Sequence, residues 1–563
     1  MTEKVIRINQ IKLNPNHSTK DLEKCIINIL KKVFGINLNS CEYKIIKKSV
    51  DSRKKPDIFF IYSVEILMSY FNEIKVSQKM LADKLKKCRG QLAKDINITE
   101  RYTYEFPTGL SNYNKKINLR EEDRPVIIGF GPAGMFAALK LSEAGYRPVV
   151  YERGETVEKR QTSVNNFWNG GELDENSNVQ FGEGGAGTFS DGKLNTMIKD
   201  NTGRIKEVLK TFVRFGADPE IMYLNKPHIG TDVLAVIVKN IREHILSLGG
   251  EINFNKMLTG IEYENNNVTD ILIKDTKSGE VITRRCKNVC ICVGHSARDT
   301  FEMISGLPVV MQPKSFAVGL RIEHPQDFIN YNAYGDTSYK MPAADYKVTY
   351  TTASGRGVYS FCMCPGGYVV NASSQKGYLA VNGMSYSGRD SRNANSAIIV
   401  TVTPDDFGAN VLDGINFQRN LEKAAYNVGN GNIPIQLYDD FKNERISDGL
   451  GKVIPCIKGK TSFADLNTVL GKDLSSSIVE GIEGFAGKIA DFNMGEAVLS
   501  GVESRTSSPL RIVRDETMQS SLKGLFPCGE GAGYAGGITS AAVDGIKAAE
   551  RIALKIDDIY FKI

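Results

Sequence analysis

Two kinds of hydrophobic periodicity mark the first hundred residues. VIRINQIKL is a short apolar run, and CEYKIIKKSV and DIFFIYSVEIL are strand-like runs separated by the turn-prone stretch DSRKKP. STKDLEKCIINILKKVFGI and SQKMLADKLKKC instead repeat at helical spacing, and Ser18 stands where a helix N-cap is expected. This β-α-β-β-α order predicts a small α/β sandwich of ferredoxin-like type over residues 1–106. A polar, turn-rich linker is expected at 107–123.

From residue 124 onward the pattern is that of a nucleotide-binding α/β domain. The segment RPVIIGFGPAGMFAALKLSEAGYRPVVYERG reads as strand, glycine-rich turn, amphipathic helix and second strand. Residues 315–484 are rich in strand patterns and in Gly, Tyr and Ser. They lie between two nucleotide-binding pieces, 124–314 and 485–563. The predicted fold class is therefore α/β, with a Rossmann-like FAD-binding domain split by an inserted β-rich substrate domain.

The first glycine-rich turn carries the G-x-G-x-x-G fingerprint in its proper context. Glycine is needed in the tight turn, at the backbone approach to a pyrophosphate, and where helix and strand pack closely. The helix N-terminus then offers N–H groups to the phosphates. Glu152, at the end of the next strand, is placed to accept hydrogen bonds from the ribose hydroxyls. The predicted contacts are Gly129, Gly131, Pro132, Ala133, Gly134, Glu152 and Arg153.

A second strand, turn and helix near the C-terminus favours FAD over NAD. In GLFPCGEGAGYAGGITSAAVDGIKAA a carboxylate would bind the ribityl chain, and the helix start would stabilise negative charge on the flavin. A third strand, in KNVCICVGHSARD, ends where the adenine-side sheet of FAD enzymes closes. The predicted contacts here are Gly294, Gly529, Glu530, Gly536, Gly537 and Ile538.

The stretch GTFSDGKL comes within one residue of the phosphate-binding loop G-x-x-x-x-G-K-[ST]. That loop requires a hydroxyl after the lysine to hold magnesium, and Leu194 occupies the position. The preceding ELDENSNVQ is also too polar for the buried strand that leads into such a loop. The sequence therefore argues against a nucleoside triphosphatase.

Taken together, these motifs resemble one family. GFGPAGMFAALKLSEAGYRPVVYERG, FGEGGAGTFSDGKL, VGHSARDT, FCMCPGGYVVNASS, ESRTSSPLRI and CGEGAGYAGGITSAAVDG are similar to the uncharacterised bacterial FAD-dependent dehydrogenases, within the glutathione-reductase-like flavoproteins. The resemblance implies that FGEGGAGTFSDGKL cradles the flavin. Ser190 and Lys193 would then donate to cofactor or substrate. The implied cradle residues are Gly184, Gly185, Gly187 and Ser190, with Lys193 as a candidate catalytic residue.

Further catalytic candidates lie in the inserted domain, which would roof the flavin. Arg356, Tyr359 and Arg389 are the residue types that polarise a carbonyl or clamp a carboxylate. Cys362 and Cys364 are either small buried residues on one strand face or hold a thiolate near the flavin. A metal site is not expected, because no histidines cluster and no CxxC pair is present. The same absence argues against a thiol–disulfide reductase.

Charge is distributed unevenly along the 563 residues. Residues 1–120 carry 24 Lys and Arg against 12 Asp and Glu, whereas the remainder carries 47 against 53. No apolar run is long enough to span a bilayer and no signal-peptide core is present, so a cytoplasmic protein is expected. The basic N-terminal part suggests three readings: a solvated face, a docking surface for an acidic electron carrier, or a nucleic-acid contact.

The predicted function is that of an FAD-dependent oxidoreductase acting on a small organic substrate. Only one dinucleotide fingerprint is present, so NADH or NADPH would serve as a transient donor at the substrate face. A protein electron donor is the other option. The competing hypothesis is a nucleic-acid-linked flavoprotein such as a tRNA-modifying enzyme, for which the basic N-terminal part is the motive. Two points argue against it: that part shows no interleaved aromatic residues in an RNA-binding motif, and lysine-rich faces are commonly just solvated.

Overall fold

The structure is a computed structural model that describes residues 2–107 and 119–561. The helices are α1 (Thr19–Phe34), α2 (Met68–Glu73), α3 (Gln78–Lys87), α4 (Gln91–Asp95), α5 (Pro132–Glu143), α6 (Val157–Trp168), α7 (Arg204–Arg214), α8 (Thr231–Ser247), α9 (Arg298–Ser305), α10 (Gln326–Tyr334), α11 (Pro404–Phe407), α12 (Asp413–Val428), α13 (Tyr438–Lys442), α14 (Asn467–Leu470), α15 (Lys472–Ala486) and α16 (Ile538–Phe561).

The strands are β1 (Thr2–Leu13), β2 (Lys44–Lys54), β3 (Asp57–Leu67), β4 (Ile96–Tyr102), β5 (Val126–Ile128), β6 (Val149–Tyr151), β7 (Glu251–Asn253), β8 (Lys256–Glu264), β9 (Asn267–Asp275), β10 (Val281–Arg285), β11 (Val289–Ile291), β12 (Met311–Pro313), β13 (Phe316–Pro325), β14 (Thr349–Thr351), β15 (Gly357–Cys364), β16 (Tyr368–Asn371), β17 (Val381–Met384), β18 (Asn393–Val402), β19 (Ile433–Leu437), β20 (Ile457–Lys458), β21 (Thr461–Phe463), β22 (Val498–Glu503), β23 (Leu510–Ile512) and β24 (Leu525–Pro527). Within the described ranges, no helix combines the length and the apolar character that a membrane crossing requires.

The chain divides into two compact units. The N-terminal unit comprises Met1–Glu105, Met197–His228 and Asn330–Pro342, and the main unit comprises the rest. Two segments that the sequence placed in the FAD-binding and inserted domains therefore belong with the N-terminal unit. One reason is visible at β2, where Lys48 N–H donates to the carbonyl of Tyr223 at 2.7 Å. Backbone pairing between segments so distant in sequence leaves no local sequence signal.

The N-terminal unit is built on a four-stranded antiparallel sheet in the order β2-β3-β1-β4. Helix α1 buries Leu22, Ile26, Leu30 and Phe34, one residue per turn, against the apolar face of this sheet. The predicted N-cap at Ser18 is present: its hydroxyl accepts from the backbone of Asp21 in a capping box. The capped amphipathic helix fixes which sheet face is the core.

The main unit contains a five-stranded parallel sheet in the order β24-β11-β5-β6-β7. The residues of β5, β6, β11 and β24 are all buried, as expected for strands covered on both faces. Helices α5 and α16 pack on each other, although they come from opposite ends of the unit's sequence. Because parallel strands align their carboxyl ends, the turns after β5, β11 and β24 meet at one edge.

A seven-stranded sheet forms the other layer of the main unit, in the order β14-β15-β18-β13-β22-β19-β21. Strand β22 (Val498–Glu503) pairs with β13 and β19 inside it. The sheet therefore continues past residue 484, where the sequence analysis ended the inserted domain. Helix α15 ends at Ala486, close to residue 484, and a turn-rich stretch follows it. Only the long-range pairing of β22 shows where the sheet ends.

Candidate functional site

The turn after β5 requires its glycines. Gly129 has φ of 93°, and a Cβ on Gly134 would lie 2.0 Å from the Gly129 carbonyl oxygen. Gly131 is the N-cap residue of α5, and Pro132 is its first residue. Ala133, one residue on, lies against the C-terminal turn, since a Cβ on Gly529 would come within 2.8 Å of its Cβ. Because Gly129 and Gly131 carry no side chains, this turn does not itself cover the N-terminus of α5, as a pyrophosphate site requires.

Glu152 lies directly after β6 and is 5% exposed. Its carboxylate accepts hydrogen bonds from the backbone N–H groups of Phe130 (2.8 Å), Gly154 (3.0 Å) and Gly182 (3.0 Å). The sequence predicted only that Glu152 binds the ribose hydroxyls. In the fold it also ties the first glycine turn to the loop that begins at Gly182, and one oxygen keeps capacity for a further donor.

The side chain of Arg153 contacts Asp299 and Phe181. Its guanidinium donates to Asp299 at 2.7 Å and stacks over the ring of Phe181, with 4.4 Å to the centroid. Asp299 lies in the first turn of α9. Arg153 therefore braces the adenine side of the predicted site through a partly buried ion pair.

The loop of residues 182–194 lies against the first turn. Gly184 and Gly185 adopt left-handed backbone with φ of 82° and 62°, and a Cβ on Gly185 would come within 3.0 Å of the Gly131 Cα. A Cβ on Gly187 would lie 3.1 Å from Ile538 at the start of α16. Three glycine-rich stretches from distant parts of the sequence thus converge on one place.

Arg160, which the sequence analysis did not single out, holds this loop in shape. It is completely buried and donates to the carbonyl groups of Asn178, Val179, Gly182, Glu183 and Gly185 at 2.7–3.3 Å. A lone arginine in a helix offers no pattern that would reveal this role. Its five contacts engage all three nitrogen atoms of the guanidinium.

Ser190 shapes the end of the loop. Its hydroxyl donates to the Gly187 carbonyl at 2.7 Å and accepts from the Gly192 N–H at 3.2 Å. Lys193 is 28% exposed, with its ammonium 3.8 Å from the carboxylate of Asp191. Asp191 is itself buried and forms a two-point ion pair with Arg389. Two of the four predicted catalytic residues, Lys193 and Arg389, therefore meet at one carboxylate.

The other two candidates occupy structural positions. Arg356 donates to Asp406 at the start of α11 and to the carbonyl of Thr401. Tyr359 lies on β15 against Ala317 and Ile399, and burial raises the pKa of its hydroxyl. Within the described residues, neither side chain forms a hydrogen bond or an ion pair with the glycine-rich loops.

Cys362 and Cys364 lie on β15 at a β-bulge. Cys362 has φ of 44°, which is uncommon for a residue with a side chain. The fully buried Arg321 donates to the Cys362 carbonyl at 3.2 Å and to Glu503 at 2.7 Å. The hydrogen bond from Cys364 and the charges of Lys193 and Arg321 outweigh burial and lower the pKa of the Cys362 thiol. Both readings of Cys362, a small buried residue and a thiolate, stay predictions.

The turn after β24 faces the loop after β11. Oε1 of Glu530 lies 3.1 Å from Nδ1 of the buried His295, whereas Nε2 of this imidazole has no hydrogen-bond partner among the described residues. A Cβ built on Gly294, Gly536 or Gly537 would meet no atom within 4 Å. Open space beside an unsatisfied imidazole nitrogen and a helix N-terminus is what an additional polar ligand would fill. The residues present therefore fit a flavin dinucleotide.

Three cysteines meet beneath this edge of the sheet. The sulfur atoms of Cys290, Cys292 and Cys528 lie within 4.8 Å of one another, and all three residues are buried. Cys290 and Cys292 share a strand face, as predicted, with their sulfur atoms 3.3 Å apart. Cys528 was not expected to join them, because it follows a strand more than 200 positions later in the sequence.

A buried ion network behind the site also escaped sequence reasoning. Glu422 of α12 is fully buried and accepts hydrogen bonds from Arg298 (2.7 and 2.9 Å) and from Arg505 (2.8 Å at each oxygen). Arg505 in turn donates to Ser296, beside His295. The network connects α9, α12 and the chain after β22, so it fixes the loop that carries the imidazole.

Known families match two parts of the chain. Residues 315–506 match the family described as FAD-dependent protein, C-terminal domain-like, and residues 5–67 match a domain of unknown function. A relative in Clostridium beijerinckii, named only as an uncharacterized protein, is 46% identical over 559 residues, which are 98% of this chain and 99% of the relative.

Solved structures give weaker likenesses. A glycerol-3-phosphate dehydrogenase from Bacillus halodurans complexed with FAD is 11% identical, with a TM-score of 0.34 over 78% of this chain and 66% of that one. A geranylgeranyl bacteriochlorophyll reductase-like protein from Thermoplasma acidophilum is 12% identical, with a TM-score of 0.32 over 78% and 82%. At such TM-scores these likenesses carry no argument about activity. The chain belongs to the same family as the Clostridium beijerinckii protein, and its residues 315–506 carry the match to FAD-dependent protein, C-terminal domain-like.

Proposed function

We propose that the protein is an FAD-dependent oxidoreductase of the glutathione-reductase-like class, acting on a small organic substrate. The observation that carries the proposal is the convergence of the glycine-rich stretches 129–134, 184–187 and 529–538 around open space. Bound FAD supplies hydride or single-electron transfer. The protein must then hold the cofactor, orient a substrate over the ring and manage a proton.

The cofactor contacts follow from the positions of these stretches. The N-terminus of α5 receives the pyrophosphate, and Glu152 offers its remaining acceptor capacity to the adenosine ribose. Glu530 accepts from the ribityl chain, with His295 beside it as a buried donor. The open N-terminus of α16 at Gly536 and Gly537 stabilises negative charge at the edge of the flavin ring.

The substrate side is assigned to Lys193, Arg389 and Cys362 rather than to Arg356 and Tyr359. Lys193, Arg389 and Cys362 lie near the end of the loop of residues 182–194. Lys193 and Arg389 share the carboxylate of Asp191. The two cations suit a substrate that carries a carboxylate or develops an oxyanion. A nicotinamide donor or a protein electron donor delivers the electrons at this same face.

We also assign the domains from the sheets. The order β2-β3-β1-β4 with its connecting helices supports a ferredoxin-like N-terminal domain. The parallel sheet supports a Rossmann-like FAD domain, interrupted by the chain that forms the seven-stranded sheet.

The proposal is tested on the purified protein under anaerobic conditions. We expect bound flavin, with an absorption band near about 450 nm that bleaches on adding NADH or NADPH. Lys193→Met should slow turnover of the flavin by at least about 10-fold, since one charge-assisted contact contributes about 1.5–3 kcal/mol. Lys376→Met, a surface lysine that is 65% exposed, is the matched control and should leave the rate unchanged. A protein that neither contains nor takes up FAD refutes the proposal.

A further inference from the structure

A group of basic side chains in the N-terminal unit is separate from the flavin chemistry. Ile6 and Ile8 of β1 point into the core under α1, so Arg7 between them lies on the opposite face of the sheet. On that face Glu65 of β3 stands directly between Arg7 and its other cross-strand partner, Lys44 of β2. Arg7 donates to one oxygen of Glu65 at 2.7 and 3.2 Å.

The centre of this charged face of the sheet is buried, whereas Lys44 on the edge strand β2 is exposed. Glu65 is 4% exposed, Ser63 is 8% exposed and Val5 has no exposed surface. Lys206 and Lys210, one turn apart on α7, lie within electrostatic reach of Lys44 and of Arg101 on β4. We call Arg7, Lys44, Arg101, Lys206 and Lys210 the basic cluster.

The charges of the basic cluster do not balance. Five cations surround one buried carboxylate, Glu65, and the only other acid in a described ion pair with the cluster is Glu3. That residue is 56% exposed and lies 4.0 Å from Arg101. Among residues 2–107 and 119–561, no ion pair involves Lys206 or Lys210. At least three positive charges are therefore left without a partner.

The surplus shows in the titration of the lysines and in unsatisfied atoms. Burial, followed by the charges of Arg101, Lys44 and Lys210, lowers the pKa of Lys206 to about 8. Burial and the charges of Arg101 and Lys210 also lower the pKa of Lys44. Nε of Arg101 is buried without a hydrogen-bond partner in the described part of the chain. Donors and cations held together in this way cost free energy unless an anion joins them.

We propose that the basic cluster is a binding site for a compact phosphate anion carrying several negative charges. A single carboxylate would neutralise only part of the excess, whereas a phosphate or diphosphate group matches it. Two arginines provide planar forks that bind phosphate oxygens in pairs, and the lysines add mobile point charges. The half-buried setting suits a small anion, either free or as the phosphates of a soluble nucleotide.

The test is calorimetric titration of the full-length, FAD-loaded protein with inorganic pyrophosphate at low ionic strength. Loading with FAD fills the glycine turns, which would otherwise compete for the same anion. We expect one bound pyrophosphate. The double variant Lys206→Gln, Lys210→Gln should raise its dissociation constant at least about 10-fold, because two charge-assisted hydrogen bonds are lost. The matched control, Lys86→Gln with Lys87→Gln in the last turn of α3, should bind like the native protein.

A second measurement covers the case in which the double variant folds poorly. Lys206 in the native protein should react with an amine-acylating reagent at pH 8 faster than Lys86, since its amine is partly neutral. Pyrophosphate should protect Lys206 and leave Lys86 unchanged, as read by mass spectrometry of the peptides. Lys206→Arg should keep pyrophosphate binding within about three-fold, since the charge and donors remain.

Three ligands separate the sources of the phosphate. Stronger binding of ADP than of pyrophosphate identifies a nucleotide, and equal or weaker binding of ADP identifies the free anion. Either result supports the site. No pyrophosphate binding by the native protein, or equal binding by the double variant, overturns it. Single-stranded RNA that binds where pyrophosphate does not also overturns it, and makes this surface a nucleic-acid contact instead. None of these outcomes depends on oxidoreductase activity.

Discussion

Replacing Glu422 by glutamine should destabilise the main unit strongly. The carboxylate has no exposed surface and binds both Arg298 and Arg505, so the change leaves two buried guanidinium groups without their counter-charge. Breaking a buried ion pair on one side costs about 3–5 kcal/mol. Because Arg505 also holds Ser296 next to His295, we expect FAD to dissociate at a lower urea concentration than in the native protein.

The same two helices supply the control. Arg419 of α12 and Glu302 of α9 form a second ion pair at 2.6 Å, but these side chains are 23% and 45% exposed. Glu302→Gln removes one partner of an exposed pair, which contributes about 0–1 kcal/mol. The two variants share the substitution and the helices that carry the glutamates, and they differ in burial and in the number of arginine partners. Urea unfolding followed by flavin fluorescence measures both. Equal losses in the two variants would refute the reasoning.

The pH dependence provides an independent check on Glu422. Burial alone would raise the pKa of this carboxyl, but Arg298 and Arg505 outweigh burial and hold the pKa well below its usual range. The stabilisation is therefore complete above the unfolded-state pKa of about 4.3, and is lost as the pH falls towards the lower folded-state pKa. The stability difference between the native protein and Glu422→Gln should stay constant above about pH 5 and shrink below about pH 4.

Two further predictions concern the flavin site. Gly134→Ala places a methyl group 2.0 Å from a backbone oxygen, so FAD affinity should fall at least about 10-fold, whereas Gly306→Ala, whose Cβ would meet only one atom at 3.5 Å, should bind normally in the same fluorescence titration. Alkylation of Cys362 by iodoacetamide should rise less between pH 6 and pH 8 than alkylation of Cys25, because the pKa of Cys362 is lowered whereas burial raises the pKa of Cys25. Lys193→Met should move the Cys362 profile to higher pH, and an unchanged profile would contradict the assigned cause.

Local patterns were sufficient where the physics is local. The period of apolar residues and the cap at Ser18 predicted α1, and the spacing of Gly129, Gly131 and Gly134 predicted a strand–turn–helix. Backbone strain at a turn depends on a few consecutive dihedral angles, so a short motif can specify it. The FAD-dependent family was predicted from such motifs, and residues 315–506 match the family described as FAD-dependent protein, C-terminal domain-like.

The catalytic candidates show where this reasoning stops. Arg356 and Arg389 have similar polar neighbours in the sequence. In the fold, however, Arg356 pairs with Asp406, whereas Arg389 pairs with Asp191 in the loop of residues 182–194. An arginine's role depends on which carboxylate the fold brings to it, and both partners here are distant in sequence. The role of Arg160 and the position of Cys528 escaped notice for the same reason.

The sequence by itself determined the first helix, the glycine turns, the strands around them and the cofactor class, because these depend on neighbouring residues. Tertiary structure alone decided that residues 197–228 join the N-terminal unit and that β22 completes the seven-stranded sheet. It also decided that Lys206 faces Lys44 and Arg101. Such long-range pairings gain their free energy from burial and charge between segments far apart in the chain. The sequence pattern of one segment therefore does not identify the segment with which it pairs.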